Sequence, residues 1–208
     1  QVIHPQLWPE DLDYADKNVV VIGSGATAIT VVPEMAKTAK HVTMLQRSPT
    51  YVVSRPGQDA FALRMNRWLP SKLAYLVTRW KNVSMQALLY QYSRRRPQKM
   101  KEFLLSLTRR ELRGAVDVDT HFNPKYNPWD QRLCLVPDSD LFRSLRKGTS
   151  SVVTDHIKRF TKTGIKLESG DLLKADIVVS ATGLELLPMG GMEIQIDGKI
   201  MALPDTLG

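Results

Sequence analysis

Two short stretches carry residue types at spacings that do chemistry. Lys17 to Thr30 reads KNVVVIGSGATAIT, an apolar β-branched run that ends in Gly23-x-Gly25-x-x-Ala28. Gly23 lets the chain turn sharply, and Gly25, with no Cβ, lets a pyrophosphate approach the backbone. Ala28 is small enough for a following helix to pack close to the strand. That helix would aim its free N–H groups and positive dipole end at phosphate, so Gly23, Ser24, Gly25, Ala26, Thr27 and Ala28 are candidate dinucleotide-binding residues. Gly-rich turns are common. What sets this one apart from a plain structural turn is its place between a strand and a helix in a βαβ-sized unit.

The second stretch is VTMLQRSPT, Val42 to Thr50. An NAD site carries an Asp or Glu about 20 residues past the glycines, where it accepts hydrogen bonds from the ribose 2′-hydroxyl. Here that place reads Gln46-Arg47-Ser48. In NADP the 2′-hydroxyl bears a phosphate, which a carboxylate would repel and a guanidinium grips through a planar fork of donors. Gln46-Arg47-Ser48 therefore reads as a 2′-phosphate clamp, with Arg47 and Ser48 as the binding pair. The competing reading is an ordinary solvated Arg at a strand end.

These residues need elements to position them. The Val19–Ile22 run is short and continuous, as in a parallel strand buried on both faces. The next helix contains Pro33, which should bend or shorten it. A second strand follows at His41 to Leu45. Strand patterns return at Ser151–Thr154, Ile165–Glu168 and Asp176–Ser180, the last running into Ala181-Thr182-Gly183. Met192 to Leu203 looks like a hairpin turning at Asp197-Gly198. Between Arg55 and Arg113 lie helix-length apolar repeats, three or four helices with breaks at Pro70 and Pro97, and Gly114 to Asp140 is loop-rich.

The pattern predicts an α/β fold: a Rossmann-like NAD(P)-binding domain with a parallel sheet and an inserted helical subdomain. Residues 1–16 are expected to be an interdomain linker, and 17–56 with 145–184 the NADP-binding domain. Residues 57–144 are the helical insertion with an active-site loop, and 185–208 begin a return to a further domain.

Composition excludes several alternatives. With 208 residues and 43% hydrophobic content the chain can bury one sizeable core with an appended subdomain. No apolar run approaches the roughly 18 residues of a membrane span, and no signal-peptide pattern opens the chain, so a cytoplasmic location is expected. One cysteine, Cys134, rules out an internal disulfide framework and a C-x-x-C pair. His4, His41, His121 and His156 are scattered without ligand spacing, and no metal is expected. None of the six tyrosines has Lys four residues later, and Gly23-Ser24-Gly25 is no nucleophile elbow.

The formal charge of +8 gathers between Arg55 and Arg113, where Lys and Arg interleave with apolar residues. The favoured reading is the solvated face of helices whose apolar face packs on a neighbour. A weak contact with a membrane surface is the other. No nucleic-acid-binding motif is present, and no nucleic acid partner is expected.

His4-x-x-x-Trp8-Pro9, G-x-G-x-x-A, Gln46-Arg47-Ser48 and the strand ending DIVVSATG together resemble the class B flavin monooxygenases. HxxxWP is the latter part of the linker motif of type I Baeyer–Villiger monooxygenases. HPQLWPEDLDY and HFNPKYNPWDQRLCLVPDSDLF resemble most the ethionamide-activating branch. The resemblance spans essentially the whole chain. It implies an enzyme in which NADPH reduces FAD and molecular oxygen is then inserted into a ketone or a sulfide, the runner-up being N- or S-hydroxylation. Ala181, Thr182 and Gly183 join the cofactor-binding set, and His4 and Trp8 resemble hinge residues, with simple linker packing as the alternative. Arg132 falls where the family places an active-site Arg facing the flavin, there to stabilise negative charge on oxygen. Gln131 replaces the Lys common beside that Arg, and the alternative for Arg132 is a loop Arg paired with Asp130 or Asp138. The family's other G-x-G-x-x-G, which binds FAD, does not occur here, so a fragment is expected. It would comprise the NADP domain and helical insertion, partnered by a missing FAD domain of the same chain and inactive alone. An isolated NADP-binding or membrane-surface module without catalysis is the non-enzymatic reading.

Overall fold

The computed structural model describes residues 1–185, 190, 192–197 and 199–201. Its centre is a five-stranded parallel sheet in the order β1-β10-β2-β3-β6. The strands are β1 (Val2–Ile3), β2 (Asn18–Ile22), β3 (His41–Gln46), β6 (Ser150–Thr154) and β10 (Ile177–Ser180). Alternation within the Val run decides how the sheet is covered. Val19 and Val21 point into a core shared with α1 (Ala26–Met35) and α6 (Asp140–Lys147), while Val20 points into a second core on the other face. That second face is covered by an antiparallel three-stranded sheet, β7 (Ile157–Thr161), β8 (Gly164–Leu167) and β9 (Leu172–Lys174). Burial on both faces is why the strands read as unbroken apolar runs.

Pro33 lies inside α1, which ends two residues later at Met35. A proline withholds the N–H that would bond one turn back, so the short helix agrees with the sequence reading. α6 buries Leu141, Phe142 and Leu145 against the same core and stops at Gly148, whose φ of 72° closes the last turn onto the Leu145 carbonyl.

The segment from Arg55 to Arg113 folds into α2 (Ala60–Trp68), α3 (Ser71–Arg95) and α4 (Pro97–Leu112). Pro70 precedes α3 and Pro97 opens α4, as the breaks predicted. α4 packs Met100 and Leu104 on a two-stranded parallel ribbon of β4 (Tyr51–Arg55) and β5 (Leu133–Pro137). The favoured reading of the basic helices holds for α4. On α2 and α3, which pack on each other, the cover is thinner. α2 buries no residue, and in the 25 residues of α3 only Ala74 and Ser93 are buried.

Other departures are local. Residues 114–140 contain α5 (Val118–His121) and β5 rather than loop alone. The N-terminal segment is more than linker, because Val2 and Ile3 pair with Val178 and Val179 as an edge strand. β11 (Ile194–Ile196) and β12 (Lys199–Met201) form the expected antiparallel hairpin, with Asp197 in the left-handed region at φ 51°. Gly198, Ala202 and Leu203 of that reading lie outside the described residues.

Candidate functional site

The glycine-rich turn leaves the C-terminal end of β2, where the neighbouring strands β3 and β10 also end. The Gly23 amide donates to the Leu45 carbonyl at 2.8 Å, and the Ala181 amide donates to that of Ile22 at 2.9 Å. Three strand ends are thus stitched together. Gly23 sits at φ 130°, and a Cβ there would lie 2.4 Å from the Ala181 carbonyl oxygen. Gly25 differs: nothing lies within 4 Å of where its Cβ would be. As the residue before α1 it offers no side-chain cap, so the first N–H groups of the helix face open space.

That space is a cleft of about 510 Å³ beside the sheet's C-terminal edge. Gly23, Ser24, Gly25, Ala26 and Thr27 form its floor, Arg47 and Ser48 one wall, Ala181, Thr182 and Gly183 another, and Arg132 reaches in from β5. Ala28 is fully buried and lies behind the turn, in the packing position its size suggested. Arg47 and Ser48 are exposed at the end of β3. Gln46 is not. Its side chain turns inward and donates from Nε2 to the His121 carbonyl at 2.7 Å and to Thr154 Oγ1 at 2.8 Å. In the Gln46-Arg47-Ser48 triplet Gln46 is therefore an anchor, and the other two face the cleft. His121 Nδ1 also bonds Thr154 Oγ1, and burial holds its imidazole below the usual range, opposed by the nearby Asp117 carboxylate.

Arg132 pairs with neither of the acids beside it in sequence. Asp130 is bonded to Arg94 at 2.8 Å, and Asp138 accepts from the Gly57 amide at 3.0 Å. Arg132 instead donates from Nε to Thr50 Oγ1 at 3.0 Å and from Nη2 to Ser24 Oγ at 3.3 Å. Its backbone is held as well. Tyr126 donates its hydroxyl to the Arg132 carbonyl at 2.9 Å, and Tyr51 donates to the Tyr126 carbonyl at 2.8 Å. Burial, then the neighbouring Tyr126 and Asp130, push the Tyr51 phenol up to about 12, so it stays a donor. Cys134, two residues on, is buried beneath the turn with its thiol pushed up by burial.

The remaining predicted residues lie beside the cleft. His4 bonds the Gly183 carbonyl through Nε2 at 2.9 Å, and the Gln6 side chain makes two hydrogen bonds with the Glu185 backbone. The N-terminal segment is thereby strapped to the chain leaving β10. Trp8 is 36% exposed, one turn past that strap.

Sequence reasoning missed Thr50, Tyr126 and a recess of about 280 Å³ that shares Ile22, Leu45 and Arg47 with the cleft and adds Asp155, His156 and Ile157. A usable signal was present, since Asp155-His156 directly follows a parallel strand ending at the same edge. Among the described residues no group of acids, histidines or cysteines is placed to hold a metal.

Fold and cleft together define a Rossmann-like dinucleotide-binding domain carrying inserted helices. A family model described as flavin-binding monooxygenase-like matches residues 1–187, and the chain belongs to that family. FAD-containing monooxygenase EthA of Mycobacterium tuberculosis (strain H37Rv) is 57% identical over 207 residues, covering 99% of this chain and 42% of the relative. Probable FAD-binding monooxygenase AlmA of Acinetobacter baylyi is 56% identical over 200 residues, covering 96% of this chain and 40% of the relative. The chain thus spans about 42% of the length of such a relative. Among solved structures, OTEMO in complex with FAD and NADP superposes with a TM-score of 0.63 at 16% identity, over 89% of this chain and 42% of that one. Oxidized steroid monooxygenase bound to NADP gives 0.61 at 21% identity, over 88% of this chain and 41% of that one. At these identities the likeness establishes the fold.

Proposed function

We propose that the chain is the NADP-binding portion of an FAD- and NADPH-dependent monooxygenase that inserts one oxygen atom into ketones, the Baeyer–Villiger reaction, or into sulfides. The observation that carries the proposal is the single cleft in which the glycine-rich turn, Arg47 with Ser48, and Arg132 converge. The residues fit a dinucleotide with a 2′-phosphate. Gly25 leaves room for a pyrophosphate against uncapped α1, and Arg47 and Ser48 supply a cation and a hydroxyl with no carboxylate between them. NADPH bound here would supply the hydride, and FAD, held by the part of the protein beyond these residues, would activate oxygen. G-x-G-x-x-G/A occurs once in this sequence, and the cleft built on it is taken by the NADP reading.

Arg132 supplies the remaining charge. Its two hydrogen bonds in the cleft leave other guanidinium donors free to meet an anion, either a cofactor phosphate or an oxygen gaining negative charge. His4 and Trp8 fit a hinge, because a linker bonded to Gly183 moves with the edge of the cleft. A ketone and a sulfide offered side by side to the full-length protein would assign the oxygen acceptor by product.

Cofactor choice is tested by calorimetry on Arg47→Ala. Loss of a charge-assisted contact to the 2′-phosphate should weaken NADPH binding by about 1.5–3 kcal/mol and leave NADH binding almost unchanged. Equal losses for the two cofactors would remove the clamp.

A further inference from the structure

The cleft uses none of α2 or α3, yet these helices hold the chain's most one-sided chemistry. Residues 60–95 contain seven Lys and Arg and no Asp or Glu. Two of those cations, Lys81 and Arg94, form ion pairs, with Asp59 and Asp130; the others have none among the described residues. The same stretch exposes large apolar side chains: Trp68 at 74%, Leu88 at 67%, Trp80 at 63% and Leu63 at 57%. So many large apolar side chains exposed on one pair of helices mark an interaction site rather than an ordinary solvated face.

We propose that the α2–α3 arm docks on an anionic lipid surface. Three observations choose that occupant. The charge is of one sign along the arm, complementary to anionic headgroups and to no mixed-charge protein face. The exposed aromatics are Trp and Tyr, with Tyr75, Tyr90 and Tyr92 in addition to the two tryptophans, and such rings settle at the boundary between headgroups and acyl chains. Finally, Arg64, Arg67, Lys72, Arg79 and Lys81 are interspersed with exposed Leu63, Trp68 and Trp80, whereas the core of a protein interface sheds charge, lysine above all. Exposed leucines would have no partner on a nucleic acid backbone. The contact is peripheral, since no described helix is long and apolar enough to cross a membrane. An arm carrying its own lipid contact would set the cleft beside a bilayer, where apolar ketones and sulfides concentrate.

Flotation of the full-length protein with vesicles tests this. Vesicles of phosphatidylcholine containing about one-third phosphatidylglycerol should bind it at least about tenfold better than phosphatidylcholine alone, with the difference shrinking as salt is raised. Trp68→Ser/Trp80→Ser and, separately, Lys72→Glu/Arg79→Glu should each lower vesicle binding by about tenfold. Both should keep wild-type NADPH affinity, which shows that they are folded. No binding to the anionic vesicles would overturn the proposal, as expected if another part of the protein covers the arm. So would equal binding to neutral vesicles, variants that float like wild type, preferential binding of single-stranded DNA, or a change in sedimentation state without a change in flotation.

Discussion

Arg132 makes its two side-chain hydrogen bonds to hydroxyls rather than to a carboxylate, which leaves its full charge available to a ligand. Thr50 is 1% exposed and Ser24 5% exposed, so the guanidinium is held from the protein side while its far side faces the cleft. A fixed cation set before the reaction begins contributes most where charge develops in a dry site. In the full-length protein Arg132→Ala should lower product formed per NADPH consumed by about 10²–10³-fold, diverting the reducing equivalents to hydrogen peroxide. Lys at this position would restore charge without the fork that reaches Ser24 and Thr50 together. Product formation at wild-type coupling in Arg132→Ala would make it a structural residue and move the catalytic cation elsewhere. At this scale the spacing from a glycine brought Arg47 and Ser48 to the cleft's lining, and the family resemblance brought Ala181, Thr182 and Gly183. The sequence was silent on Thr50, Tyr126 and His156. Thr50 and Tyr126 acquire their roles from β5 folding back beside β4, which no local pattern records.

The two glycines of one turn separate folding from binding. Gly23 needs a left-handed backbone and lies against the Ala181 carbonyl, so Gly23→Ala should cost about 2–4 kcal/mol in urea unfolding. Gly25 has φ −80° with open space ahead of it. Gly25→Ala should leave stability unchanged or raise it by up to ~1 kcal/mol, while its methyl group, standing where pyrophosphate approaches, weakens NADPH binding by about tenfold or more. A Gly25→Ala chain with undiminished NADPH affinity would mean that phosphate does not lie on this turn. Sequence reading found β2, β3 and β10, whose apolar runs are set by burial on both faces, and with them β6, β8 and α1, which bury part of their residues. β7, which buries none of its five residues, and β5, which alternates and ends in proline, carry no such signature. α3 was recognised as a helix, but its surroundings were not legible, because periodicity reports that a face is apolar and not what covers it.

At the scale of the whole molecule, the chain has one fingerprint for a dinucleotide and one edge of a parallel sheet on which to use it. The strands β10, β2 and β3 end at that edge, and the cleft beside them is lined by all the nucleotide-binding residues read from the sequence except buried Ala28. Two cofactors that exchange a hydride cannot share one such turn. On the proposed function, the flavin surface would come from a part of the protein outside these residues; relatives such as EthA are more than twice this length, with 42% of that chain covered. The nucleotide domain itself has what it needs to stand alone: a core on each face of the sheet, closed by α1 and α6 on one side and by β7–β9 on the other. The 208-residue chain should therefore fold, bind NADPH, and purify without the absorbance bands of flavin, even when FAD is added during refolding. Joining it to the remaining segments should restore both flavin and oxygen transfer. A yellow preparation of these residues with stoichiometric FAD would show that the cleft described here accepts flavin, and the assignment of Arg47 and Ser48 to a 2′-phosphate would fall with it.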